Sequence, residues 1–301
     1  MTITSPECSR ASEADDEPLA GTAPTGPGSW LLIEHPGPWP ARDAWRALPP
    51  AAAEVCARAR ALGISVGLIR RAHHRRTPPP RQVILASLRG ERPWLESTEL
   101  ADLTGITGID LAALAAGQQP RFGPPGPPRL LLACTHGRRD RCCARLGRPA
   151  AAALADHFGD LVWESTHLGG HRFAANLLCL PDGTVHGRLT PDTAVPVARA
   201  CLAGKVVLPH YRGRAGSPAP VQAAEHTVRV HLAEHRVDAV RPPAGSTGST
   251  GTVRLTVGAD EYELAVRATP DEPRWTSCDD AGPTPTPRYE ARLVASYLRS
   301  G

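Results

Sequence analysis

The amino-acid sequence predicts an α/β protein built from three regions that follow a disordered N-terminal tail. Apolar strand-like runs alternate with Ala-rich helical stretches through most of the 301 residues, which is the pattern of α/β domains. Two segments rich in proline and glycine, at 119–129 and 212–220, interrupt this pattern and indicate region boundaries. We therefore expect folded regions at 29–118, 126–211 and 218–301.

The tail and the first region differ in composition. Residues 1–28 are rich in Ser, Pro, Gly and acidic side chains and have little apolar surface to bury, which predicts disorder. In the region 29–118, apolar runs predict strands, and an alanine-rich stretch that ends at Gly63 predicts a helix. The elements expected in this region are strands at 30–33, 64–69 and 82–88 and helices at 51–62 and 111–116.

The second region has the most regular pattern of the three. Its expected elements are a strand at 130–133, a helix at 140–158 with Asp140 as its cap, strands at 161–163, 174–180 and 184–189, and a helix at 191–202. This order is typical of a small layered α/β domain. The first region shows a weaker version of the same order, so one open interpretation is that it is a degenerate copy of the second.

The third region, 218–301, is expected to be a small α+β unit with a helix at 221–235 and a hairpin after it. The helix contains H-x-x-E-H at 231–235, which matches an inverted zinc-protease motif. Only 66 residues of Pro-rich and hairpin sequence follow this motif, and they would have to supply the third ligand of a peptidase. We therefore interpret the motif as a solvated helix face.

Composition excludes several classes of protein. No apolar run approaches the roughly 20 residues that span a bilayer, and the acidic N-terminus lacks the features of a secretory signal. With 34 basic and 30 acidic residues, the net charge of +4 is too balanced to indicate nucleic-acid or membrane binding. Eight cysteines without a signal therefore predict a cytoplasmic protein whose clustered thiols bind a metal or act in catalysis.

One constellation combines cysteines and histidines. Cys134, Cys142 and Cys143 join the end of a predicted strand to the start of a predicted helix, where the helix dipole favours thiolates. The sequence HLGGH then places His167 and His171 on a loop broken by two glycines. Two thiolates and two imidazoles suit tetrahedral zinc or a 2Fe–2S cluster, and the cysteines alone suit thiol–disulfide chemistry, so the residues leave three chemistries open.

The segments CTHGRRDRCC, WESTHLGGHRFAANLLCLPDG and HGRLTPD resemble the sucrase/ferredoxin-like family, most densely over 130–205. The resemblance implies a thioredoxin-like ferredoxin domain with a 2Fe–2S cluster held by Cys134, Cys143, His167 and His171. It also implies an electron carrier rather than a stand-alone enzyme. We do not expect a glycosidase, because the sequence shows no recognisable pair of catalytic carboxylates.

Neighbouring residues are expected to support the ligands. His136, Cys142 and Arg172 are candidates for residues that support the ligands, with Cys142 interpreted mainly as a helix-packing residue. The arginines at 138–148 indicate either an acidic electron donor or acceptor protein or a solvated helix face, and both interpretations stay open. Nucleic-acid and membrane partners are not expected. The alternatives in function are a thiol–disulfide oxidoreductase of thioredoxin-like fold and a structural zinc module.

Overall fold

The computed structural model describes residues 7–72, 79–90, 92–241, 250–270 and 273–298. Nine strands of the described residues form one mixed sheet: β1 Ser29–Glu34, β2 Ser65–Arg70, β3 Arg81–Ser87, β4 Trp94–Leu100, β5 Leu130–Cys134, β6 Val162–Ser165, β7 Leu177–Leu180, β8 Thr184–His186 and β9 Tyr211–Arg214. The helices are α1 Cys8–Ala14, α2 Pro50–Ala61, α3 Leu111–Ala115, α4 Arg141–Phe158, α5 Pro191–Leu202 and α6 Ala219–Leu232. The α/β fold class predicted from the sequence is confirmed.

Two halves with the same connectivity form the large sheet. In each half a strand, a helix and a parallel strand are followed by two antiparallel strands: β1–α2–β2–β3–β4 in the first half and β5–α4–β6–β7–β8 in the second. The sheet order is β4-β3-β1-β2-β6-β5-β7-β8-β9. The halves therefore join where β2 pairs antiparallel with β6, through Ile69 with Ser165 and Arg70 with Glu164.

The core follows the faces of this sheet. Successive residues of a strand point to opposite faces, so Leu32 lies in a cluster that also contains Leu132, Trp163 and Cys134 from the second half. Leu31 lies instead in the cluster formed by α2 and the first half. All five residues of β5 are buried, as expected for a central strand covered on both faces. One core thus runs across both halves and includes Cys134.

The N-terminal segment differs from its prediction. Residues 1–6 lie outside the described residues, but 7–28 are folded against the second half and include α1. The segment is held mainly by polar contacts: Arg172 donates from Nε to Glu17 over 2.8 Å, and Arg188 donates from Nη2 to the carbonyl oxygen of Ser12 over 2.9 Å. Composition predicted disorder because apolar residues are few, and buried polar pairs supply the missing contacts.

The C-terminal residues form a second sheet of four strands, β10 Val240–Arg241, β11 Gly251–Val257, β12 Asp260–Pro270 and β13 Pro287–Tyr297. This sheet packs on α6 through an apolar cluster that includes Val228, Leu255 and Leu264. The sequence predicted a helix to 235, with His231 and His235 on one face of it. The helix ends instead at Leu232, so the two histidines do not share a helix face. In the part of the chain that is described, no helix is both long and apolar enough to cross a membrane.

Candidate metal centre

Cys134 and Cys143 meet where β5 ends and α4 begins. The side chain of Asp140 caps α4 by accepting the backbone N–H of Cys142 over 2.9 Å, which places Cys143 in the first turn. One turn later Gly147 lies against the carbonyl oxygen of Cys134, where a Cβ atom would overlap it. The helix therefore approaches the strand end closely, and both thiols are buried in the same core cluster.

The loop between β6 and β7 carries the two histidines. Gly170 has a φ of +68°, and a side chain there would overlap the guanidinium of Arg212. That guanidinium donates to the carbonyl oxygen of Gly169 over 3.1 Å and to Oδ1 of Asn176 over 2.8 Å. The loop is thereby folded back, and the rings of His167 and His171 stack with their centroids 4.8 Å apart.

These elements bring three of the candidate ligands together and place the fourth beside them. The ligand atoms of Cys134, Cys143 and His167 all lie within 4.8 Å of one another, and Sγ of Cys143 is 3.9 Å from Nδ1 of His167. His171 lies beside His167, and its Nε2 is 3.9 Å from Oδ2 of Asp140. The three-residue group is of a kind that could hold a metal ion, with His171 adjacent as a fourth donor.

The protonation of the two cysteines is linked. The pKa of Cys134 is held well below its usual range, chiefly because Cys143 donates to its sulfur, and His167 adds to this effect. The same hydrogen bond, together with burial, raises the pKa of Cys143. The shared hydrogen bond thus favours ionisation of Cys134 before Cys143, and a cation bound between the two sulfurs would displace their thiol protons.

His171 is ready to act as a neutral donor. Burial and, to a smaller extent, the neighbouring His167 lower its pKa to about 4. Neutral imidazole is the form that ligates metals. Its Nδ1 is buried and has no hydrogen-bond partner among the described residues.

The residues predicted to support the ligands contact different parts of the molecule. The backbone N–H of His136 hydrogen-bonds the sulfur of Cys134, whereas its ring places Nε2 2.8 Å from the carbonyl oxygen of Pro40. Arg172 pairs with Glu17, away from the thiols. Cys142 is buried in an apolar cluster, as expected of a helix-packing residue, and its Sγ lies 3.7 Å from that of Cys8.

Sequence reasoning missed Arg212, which holds the histidine loop in place. The residue is almost completely buried on β9, although its segment was interpreted as a break between regions. Glycine and arginine in the sequence YRGRAG obscured the strand signal. A buried arginine is recognised only once its acceptors, such as the carbonyl oxygen of Gly169, are known.

Comparison with protein families identifies the chain. The family model described as sucrase/ferredoxin-like matches residues 25–213. The chain belongs to the sucrase/ferredoxin-like family. The match covers β1 through most of β9, so the family resemblance extends over both halves of the large sheet. No curated protein and no solved structure matches the chain. The sucrase/ferredoxin-like region thus contains all four candidate ligands.

Proposed function

We propose that this member of the sucrase/ferredoxin-like family binds a 2Fe–2S cluster and transfers electrons. Cys134 and Cys143 would hold one iron, and His167 and His171 the other. The observation that carries the proposal is the convergence of two buried thiols with two stacked imidazoles from separate elements. A pair of imidazoles in place of two thiolates is a known ligand set for such clusters.

The donor set fits the group. Nδ1 of His171 is buried without a hydrogen-bond partner among the described residues. Leaving such an atom unsatisfied costs about 1–3 kcal/mol, and coordination would remove this cost. The lowered pKa of Cys134 favours its thiolate form, which is the form that binds a metal. Both features support a bound metal group at this place.

The surrounding residues influence the charge, the reduction potential and the geometry of the site. When bound, the cluster supplies one-electron chemistry. The N-terminus of α4 and the N–H of His136 favour negative charge on the sulfurs of Cys143 and Cys134. Two neutral imidazoles leave the site less negative than four thiolates would, which raises its reduction potential. Arg212 and Asn176 keep the histidine loop in a fixed position.

The partner proposed for this site is an electron donor or acceptor protein with an acidic surface. Exposed arginines lie close to Cys134 and Cys143 in the chain, at Arg138 and Arg148. Exposed positive charge steers an acidic partner and strengthens its encounter at low salt. Electron transfer that became no slower as the salt concentration rose would contradict this part of the proposal.

The test is anaerobic purification followed by iron and acid-labile sulfide analysis, visible absorption and EPR after reduction. We expect about two irons and two sulfides per chain, with a rhombic signal in the reduced state. His171→Ala should lose most of the iron, whereas His157→Ala, an exposed histidine on α4, should retain it. His167→Cys and His171→Cys should keep a cluster but lower its potential.

Other outcomes would replace the proposal. Stoichiometric zinc bound at Cys134 and Cys143, without iron, would make the centre a structural zinc site. A metal-free centre in which Cys134 and Cys143 cycle between thiol and disulfide would favour a thiol–disulfide oxidoreductase.

A further inference from the structure

A second group of cysteines lies outside the proposed cluster site. Cys8, Cys142 and Cys278 are all buried, and their sulfurs form a triangle. The Sγ–Sγ distances are 3.7 Å from Cys8 to Cys142, 3.2 Å from Cys142 to Cys278 and 3.6 Å from Cys278 to Cys8. Both carboxylate oxygens of Asp140 lie 3.8 Å from the sulfur of Cys8. Three thiols and one carboxylate thus face a common point.

The three cysteines come from distant parts of the chain. Cys8 begins α1, Cys142 lies in the first turn of α4, and Cys278 lies between β12 and β13. Cys142 is 134 residues from Cys8 and 136 residues from Cys278. Their meeting therefore depends on how the N-terminal segment, the second half of the sheet and the C-terminal region pack together.

The triangle has the size of one face of a mononuclear metal site. Ligand sulfurs at about 2.3 Å from a tetrahedral zinc ion lie about 3.8 Å from one another. The observed separations of 3.2 to 3.7 Å are close to this value.

Asp140 is oriented for the fourth position. Its Oδ1 accepts the N–H of Cys142 over 2.9 Å, and its Oδ2 accepts the N–H of Cys278 over 2.9 Å and the hydroxyl of Ser277 over 3.0 Å. A carboxylate has about four lone-pair sites, so further acceptor capacity remains after these bonds. Hydrogen bonds of this kind are what hold metal-ligating carboxylates in place.

Charge also favours a cation at this point. The sulfur of Cys142 accepts hydrogen bonds from the thiol of Cys8 over 3.7 Å and from the hydroxyl of Ser9 over 3.2 Å, and such bonds favour the thiolate form. The carboxylate of Asp140 lies beside Cys142 and accepts its backbone N–H. Negative charge is costly to bury, and a bound cation would compensate it beyond what the nearby Arg141 and His171 supply.

We propose that Cys8, Cys142, Cys278 and Asp140 bind a structural zinc ion. Soft thiolate ligands select zinc among the common divalent ions, and four protein ligands leave no open position for a reaction. The ion would tie both ends of the chain to the start of α4, next to Cys143. A metal ion that links residues far apart in the chain reduces the conformational entropy of the unfolded state, and the reduction grows with the length of the loop that is closed. We therefore expect the ion to stabilise the fold.

The test begins with the metal content and zinc X-ray absorption of the full-length protein. We expect about one zinc per chain, with three sulfurs at about 2.3 Å and one oxygen at about 2.0–2.2 Å. This spectrum is measured on the wild-type protein and does not depend on any variant folding. Wild-type protein that binds no zinc after dialysis against a zinc-containing buffer would overturn the inference.

Matched variants assign the ion to this group. Cys8→Ala and Cys278→Ala should each keep less than about one tenth of the wild-type zinc. Cys56→Ala, which removes a buried thiol from α2 in a different core cluster, should keep it. Cys134→Ala should keep it as well. Zinc that is lost in Cys134→Ala but retained in Cys8→Ala and Cys278→Ala would contradict the inference.

A further outcome concerns oxidation. Mass spectrometry of alkylated protein that found a disulfide between Cys142 and Cys278 would replace the zinc site by a covalent link. Because zinc and iron are counted separately, this inference and the proposed function fail independently. A chain with zinc at these cysteines and no iron would contradict the 2Fe–2S proposal alone, and a chain with iron and no zinc would contradict the zinc site alone.

Discussion

Gly147 shows at the residue scale how one small side chain sets the approach of two elements. It lies inside α4, where glycine is normally less favourable than alanine by about 1 kcal/mol. Its backbone lies against the carbonyl oxygen of Cys134, however, and any Cβ atom would overlap that oxygen. The cost of glycine in the helix is therefore offset by the close packing that lets Cys143 reach Cys134.

Gly147→Ala should lower the free energy of unfolding, contrary to helix propensity. We expect a loss of about 1–3 kcal/mol, because the helix must move away from the strand end to relieve the overlap. Urea denaturation measures the change, and Gly282→Ala is the control because no atom lies within 4 Å of the added Cβ. A Gly147→Ala variant as stable as the wild type would show that α4 does not need this close contact.

At the element scale, α6 is held by a buried charge network. Glu225 is fully buried and accepts from Arg229 on the same helix over 3.0 Å and from Arg214 on β9 over 3.2 Å. Tyr211 also donates its hydroxyl to Glu225 over 3.1 Å. The network links the C-terminal region to the last strand of the large sheet, so its loss should loosen both.

Glu225→Gln should destabilise the protein by about 3–5 kcal/mol, because it leaves two buried guanidinium groups without a charge partner. The matched control is Glu290→Gln, whose partner Arg267 is 75% exposed. Exposed pairs contribute about 0–1 kcal/mol, so this control should change little. Denaturant unfolding of both variants compares them directly, and equal losses would contradict the assigned role of burial.

The same network predicts a pH dependence. Burial alone would raise the pKa of Glu225, but Arg214 and Arg229 outweigh it and hold the pKa below the usual value of 4.5. A carboxyl with a lowered pKa in the folded state contributes stability that is present above 4.5 and is lost as pH falls through the folded pKa. The stability difference between wild type and Glu225→Gln should therefore shrink on acidification below this value. A difference that stayed constant would argue against the charge of Glu225 as its cause.

At the scale of the whole molecule, the two halves of the large sheet are joined by polar contacts and a common core. Arg70 on β2 donates from Nε to Glu164 on β6 over 2.7 Å, across the junction between the halves. Glu164 also accepts the hydroxyl of Thr135 over 2.9 Å, next to Cys134. With a common core on one face, the halves at 29–118 and 126–211 are expected to unfold together even though a Pro/Gly segment separates them.

Arg70→Ala should therefore weaken both halves equally. Removal of the guanidinium leaves Glu164 buried without its charge partner, at a cost of about 3–5 kcal/mol. Hydrogen exchange of the slowest amides in β3 and in β7 should show the same loss of opening free energy. Arg254→Ala, which breaks an exposed pair with Glu263, is the control. A loss confined to β3 would show that the halves are separate folding units.

Local sequence determined the candidate ligands and most elements of the large sheet. The motifs CTHGRRDRCC and HLGGH are short and ordered, so their residue types and spacing indicated a site of cysteines and histidines, and the family resemblance then selected Cys134, Cys143, His167 and His171 as its ligands. An alanine-rich stretch that ends at Gly63 likewise predicted the helix before β2, and Asp140 was predicted as the cap of the helix before β6. Strand β9 was missed because Gly213 and its flanking arginines gave no apolar pattern.

Only the tertiary structure decided which distant residues meet. Cys8 and Cys278 had no visible partners in the sequence, and Cys142 was interpreted as packing, yet their sulfurs converge on Asp140. The N-terminal segment was expected to be disordered and is instead held by buried polar pairs such as Glu17 with Arg172. Periodicity and spacing record the local environment of a residue, whereas contacts more than 130 residues apart depend on the path of the whole chain.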